Sequence, residues 1–161
     1  MTRRGSLVYY LSAWVLGCFF MAACLWLVIR SSMQWYVAGF LGFFVFSLFF
    51  GAFAALLFGI LLRALNAWAG FSRLWQWVAG GAGLSLLLVL GLGAMGEATI
   101  RKYSPGTEST TLQYALLLML GGPAVVFDEG SWLAIPAGAA TASVLYFIHR
   151  AFELRPYPLE L

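Results

Sequence analysis

MLGGPAVVFDEGSWLAIPAG, residues 119–138, carries a Gly-Gly pair, two prolines and two adjacent carboxylates between short apolar runs. Those runs, 112–127 and 132–148, hold about 16 and 17 residues, at the lower limit for crossing a hydrocarbon core about 30 Å thick. Pro123 lies inside the first run, where it removes a backbone donor and crowds the carbonyl four residues back. Pro136 suits the first residue of a helix better than its fifth. Two paths satisfy these constraints. In one, both runs cross as a plain helical hairpin. In the other, a half-helix over 112–120 gives way to an irregular stretch over 121–135, and a helix resumes at Pro136 and ends near Phe152. Irregular chain at membrane depth survives only when protein buries it or it lines water, so the second path would give Asp128 and Glu129 a functional setting.

Working outward, the chain is 63% hydrophobic and 17% aromatic, and only 9% of its 161 residues are charged, against roughly 25% in soluble domains. So few charges cannot cover a water-facing surface. Three further apolar segments, 7–29, 35–62 and 77–96, are long enough to span. The fold class expected is therefore all-α: a polytopic integral membrane helix bundle with four or five transmembrane helices, the segment near 112–136 being either a plain hairpin or a broken or re-entrant one. It forms a single membrane domain over 1–161. At about 28 residues, segment 35–62 exceeds a perpendicular span and should tilt or emerge. The stretch 63–76, RALNAWAGFSRLWQ, mixes arginines with Trp68, Phe71 and Trp75 and is expected to be an interfacial joint. Ser31 with Gln34, and Thr110 with Gln113, have capping-box spacing, and Ser104-Pro105-Gly106 reads as a turn.

Charge placement bears on the two paths. If five segments cross, Arg3, Arg4, Arg63 and Arg73 lie on one side and Arg30, Arg101, Lys102, Arg150 and Arg155 on the other, which sets no direction. If the segment beginning at 112 returns to its own side, Arg150 and Arg155 join the first group, the bias that a cytoplasmic basic face expects. The net charge of +3 thus speaks to orientation and lipid headgroups, not to nucleic acid.

Ser47, Gly51, Ala55 and Gly59 recur every four residues, and Ala134, Gly138 and Ala142 repeat the device. Such stripes let helices approach closely, within this chain or against another protein. The phenylalanines at 43, 46, 50 and 53 form an aromatic stripe suited to core or lipid contact, and tryptophans near segment ends suit headgroup anchoring. Cys18 and Cys24, six positions apart on one helix, are separated by about 9 Å of rise and cannot pair with each other.

The polar residues worth following as substrate or ion contacts are Asp128, Glu129, Glu97 and His149. At membrane depth a carboxylate must be paired, protonated or functional; at headgroup level, before Gly130 and Ser131, the same pair is an ordinary turn. Glu97 sits four before Arg101, the favourable order for a helical ion pair. One histidine and one aspartate exclude bis-histidine haem ligation, HExxH zinc chemistry and an aspartyl dyad. No GxSxG, P-loop or paired CxxC occurs. No cofactor or metal is expected. The segments do not form two matched halves of the inverted-repeat kind.

The leading expectation is a non-enzymatic subunit or accessory protein of a larger membrane assembly, multi-pass in the cell (inner) membrane. Its partners would be the lipid bilayer and either another membrane protein or a copy of itself, with no nucleic acid. A small solute or ion transporter or channel using 121–136 is the alternative. An intramembrane enzyme acting on lipid, with at least two of the four ionisable residues converging, is the third reading.

Overall fold

The computed structural model describes residues 3–29, 37–102 and 111–153, and every element among them is helical. Six α-helices follow in order: α1 (Arg3–Ile29), α2 (Val37–Phe50), α3 (Ala52–Ala69), α4 (Leu74–Lys102), α5 (Thr111–Gly130) and α6 (Ala134–Glu153), with a single 3-10 turn at Ser131–Leu133 before α6. Four stretches, Gly5–Leu27, Ala52–Ala69, Leu74–Thr99 and Ser131–Phe152, are long and apolar enough to cross a membrane. The chain is a multi-pass all-α bundle.

The segment expected over 35–62 is two helices that meet at Gly51. The Gly51 N–H still donates to the Ser47 carbonyl at 2.8 Å, and the Ala55 N–H to the Gly51 carbonyl at 2.9 Å, so the junction is a bend in one path. From α1, the Trp14 indole N–H donates to the Leu48 carbonyl and the Cys18 thiol to the Ser47 carbonyl, each at 3.1 Å, gripping the turn that precedes the bend. The expected joint over 63–76 shrinks to four residues. α3 continues to Ala69, and Gly70 ends it in the left-handed conformation (φ 64°) with its N–H on the Asn66 carbonyl. Trp68 and Trp75 flank this turn with their rings exposed, as headgroup anchors would be. Trp77 is different: it is fully buried and its indole N–H donates to the Phe71 carbonyl at 3.3 Å.

The irregular stretch expected over 121–135 is also corrected. α5 runs unbroken through Pro123 to Gly130, and the chain leaves the α form only at Gly130 (φ 133°) and the following 3-10 turn. The Gly-Gly pair before Pro123 serves packing. A methyl on Gly122 would lie 2.8 Å from the Phe50 carbonyl oxygen and 2.9 Å from the Gly51 nitrogen, so α5 rests backbone to backbone on the α2–α3 bend. Pro136 falls in the first turn of α6, where backbone N–H groups lack intrahelical partners and one can be given up without loss. The capping boxes at 31–34 and 110–113 and the turn at 104–106 rest on residues outside those described.

Neither sequence path describes how α5 and α6 lie. Gly93 faces Pro123 and Phe127, and Gly96 faces Leu120 and Ala124; further back along α4, Gly81 faces Gly138 and Ala142. Both short helices therefore run antiparallel to α4, on successive lengths of it, and they make almost no contact with each other. They form one interrupted path, not a hairpin. α1 likewise lies along the bent α2–α3 path, with Phe19 against Phe40 and Phe44 of α2, and Gly17 and Ala13 against Ala55 and Gly59 of α3. Two packed clusters result. Tyr9, Ala13, Phe58, Leu62, Trp77, Leu145 and Tyr146 close one end, and Leu25, Val89, Val126, Leu133 and Ala134 form the other. In lipid, where burying apolar surface brings no hydrophobic gain, this close packing is what holds helices together. The hydroxyls that must coexist with it bond within their own helix: Thr141 and Ser143 each donate to the carbonyl four residues back at 2.8 Å.

Candidate functional site

Between the two clusters lies a partly open cavity of about 400 Å³ to which every α-helix contributes. It exists because small residues meet there: Gly17 from α1, Gly42, Ser47, Gly51, Ala54 and Ala55 along the α2–α3 path, Gly122 from α5, and Ala137 and Gly138 from α6. Larger side chains complete the wall, among them Phe43, Phe46, Leu88 and Val126. Among the described residues none that lines it is charged; Ser47, Ser85 and Thr141 bring hydroxyls and Cys18 a thiol. Thr141 and Cys18 already donate to the Ala137 and Ser47 carbonyls. Chemically this space suits an apolar molecule. Ions or hydrophilic solutes would lose hydration there with little to replace it.

A second, polar constellation lies at the end of the bundle where α1 begins and α6 finishes. The Arg63 guanidinium donates to the Ser6 hydroxyl at 3.2 Å and the Tyr10 hydroxyl at 3.1 Å, and stands 5.6 Å over the Tyr10 ring. Arg150 donates to the Tyr146 hydroxyl at 2.6 Å. The His149 ring sits between Trp77 and Tyr9, with centroids at 5.2 and 6.5 Å, and its Nε2 is 3.4 Å from the Asn66 amide nitrogen. These contacts tie α1, α3, α4 and α6 together at one face. Ring and guanidinium contacts of this kind are each worth about 0.5–1 kcal/mol at exposed sites and more when desolvated.

The four ionisable residues singled out from the sequence are not brought together as one site. His149 lies in the polar constellation beside Trp77. Glu97 is half-buried and twenty residues farther along α4 than Trp77, about 30 Å at 1.5 Å per residue. Asp128 is exposed near the end of α5 and does not line the cavity. The Glu129 side chain is outside those described.

The two small-residue stripes are occupied by helices of this chain. Gly51, Ala55 and Gly59 face Cys18, Gly17 and Ala13 of α1, and Gly138 and Ala142 face Gly81 and Ser85 of α4. Ala134 joins the cluster around Val89. Ser47 supplies the carbonyl that Cys18 meets.

Sequence reasoning missed the polar constellation. Its members, Ser6, Tyr10, Arg63, Asn66, Trp77 and Tyr146, lie on four helices, and only a path with both chain ends on one face groups them. That grouping was implicit in the charge pattern. Arg3, Arg4, Arg63, Arg73 and Arg150 all fall at this end of the helices, and Arg101 and Lys102 fall at the other. No family model, curated protein or solved structure matches this chain.

Proposed function

We propose that this chain is a non-enzymatic integral subunit or accessory protein of a larger membrane assembly, set in the cell's inner membrane with its arginine-rich end in the cytoplasm. The observation that carries this reading is the separation of charge from interior space. The central cavity is walled by apolar and small residues, Asp128 is exposed on the outside of α5, and Glu97 and His149 are a helix length apart. Acid–base work on a lipid needs two such groups within hydrogen-bond reach of one substrate, and ion passage needs polar contacts along the path. An exposed carboxylate on an apolar helix is instead suited to a basic side chain of a neighbouring protein, since a charge left to lipid is costly. The basic end suits a cytoplasmic leaflet rich in anionic lipid.

The test is affinity purification of the tagged chain from its native membrane in mild detergent, followed by native mass spectrometry. A stoichiometric protein partner that is lost from Asp128→Asn is the expected result. A lone monomer in every mild detergent tried would overturn the proposal.

A further inference from the structure

We infer that the central cavity is a binding site for a single hydrocarbon chain, the tail of a membrane amphiphile, entering past Gly42 of α2. The cavity volume of about 400 Å³ is room for roughly a dozen methylene groups if each takes the ~30 Å³ that a water occupies. The described residues of its wall carry no charge, and the helices around it are apolar, four of the stretches among them being long enough to cross the membrane. The surrounding solvent is therefore itself made of such chains. Transfer from lipid into the cavity brings no hydrophobic gain. What favours entry is dispersion, because wall atoms facing a void have no partner on that side.

Gly42 marks the way in. It lines the cavity, it is exposed, and a methyl built on it would meet nothing within 4 Å. Gly51, Gly122 and Gly138 also line the cavity, but they face the atoms of neighbouring helices. A side chain added at position 42 has room to occupy the space a chain would use, without forcing helices apart. Gly91 on α4 is a matched control: it too is exposed with nothing within 4 Å, and it does not line the cavity.

The experiment places the full chain in phosphatidylcholine vesicles doped with a phosphatidylcholine whose acyl chain bears a diazirine, followed by illumination and peptide mapping. Wall residues hidden from bulk lipid, Cys18 (3% exposed) and Val89 (5%), should be labelled in the wild type. Gly42→Leu should lower that labelling about tenfold relative to Gly91→Leu, the ratio ~1.4 kcal/mol of lost packing produces. Lipid-facing Leu41 and Phe49 should label equally in all variants. If Gly42→Leu does not fold, Ala54→Leu narrows the same cavity from α3. Competition by unlabelled phosphatidylcholine identifies an acyl tail as the occupant, and preferential competition by a polyprenol identifies an isoprenoid one. Absence of label at Cys18 and Val89, or equal label in Gly42→Leu and Gly91→Leu, would overturn the inference. A protein partner would remain testable on its own, because that test reads Asp128 and not the cavity.

Discussion

Among the described glycines, those with least room for a side chain are Gly81 and Gly138, where α4 meets α6, and Gly138→Ala tests whether this contact holds the structure together. A methyl at position 138 would collide with the Ser85 Cβ and come within 2.5 Å of the Gly81 carbonyl oxygen, about 0.9 Å short of the 3.4 Å at which ordinary contact begins. Neither atom can step aside, since one is attached directly to the α4 backbone and the other is part of it. The two helices must separate. A gap of 0.5–1 Å forfeits a quarter to a half of each dispersion contact along the interface, and forced overpacking costs about 1–3 kcal/mol. Against this, alanine is the better helix former by about 0.8–1 kcal/mol. Because backbone has to move, the upper part of the overpacking range applies, and the net loss should be about 1–2 kcal/mol.

The same substitution at Gly91, where a methyl meets nothing within 4 Å, keeps only the propensity gain and should stabilise by up to about 1 kcal/mol. Two identical chemical changes on a membrane helix should thus differ in sign and by about 2–3 kcal/mol. The assay is equilibrium unfolding in mixed micelles as the fraction of sodium dodecyl sulfate is raised, read by the tryptophan fluorescence to which buried Trp77 contributes. Gly81→Ala, whose methyl would meet the Gly138 carbonyl oxygen at 2.8 Å and Ala142 more closely still, should destabilise similarly. The double variant should lose less than the sum, because helices already parted have room for the second methyl. If Gly138→Ala unfolds at the same detergent fraction as Gly91→Ala, the packing account of the α4–α6 contact is wrong.

Two other outcomes rest on the polar end of the bundle. Arg63→Met should lower stability in that titration by about 1–3 kcal/mol, because the Ser6 and Tyr10 hydroxyls lose their donor. The exposed Arg73→Met should change it by less than about 0.5 kcal/mol, and equal midpoints for the two would refute the role given to Arg63. Reporters fused at the N-terminus and after Glu153 should report the same side of the membrane, since Tyr9 and His149 share one end of the bundle. Opposite sides would break the end-to-end path assigned to α5 and α6.

The fold class was legible because it rests on length and composition, and lipid enforces both. Local exceptions were less so. Pro123 and Pro136 carry the same local penalty on paper, yet Pro136 falls in a first turn that needs no N–H, and Pro123 is tolerated inside α5. The break came instead at Gly130, whose φ of 133° is a conformation side chains rarely adopt. The course of α5 and α6 along α4 was legible only through the arginine distribution, because a helical hairpin and an in-line interrupted helix otherwise share one sequence pattern. Asp128 attracted attention as a candidate path-lining charge, and its direction, away from the cavity, depends on where the helix break places that face.

The glycines show why stripes of small residues are ambiguous as signals of a partner. Gly81 and Gly138 meet each other's helices, and Gly93 and Gly96 meet α5, so the missing side chains become close contact within the chain. Gly42 also lacks a side chain but has no helix opposite it, and there the missing volume becomes part of a cavity. Sequence spacing records only the first half of this arrangement, that a face is bare. The second half, what lies across from it, is set by the bend at Gly51 and the interruption at 130–133, which decide how far each half-helix follows its neighbour. Straightening the α2–α3 path would pull Phe50 and Gly51 away from Gly122 and reshape the cavity wall that Gly51 and Gly122 share. The irregular points are therefore structural determinants of the central cavity, and a substitution at the bend should alter both bundle stability and the cavity wall, whereas one at Gly42 should alter the cavity alone.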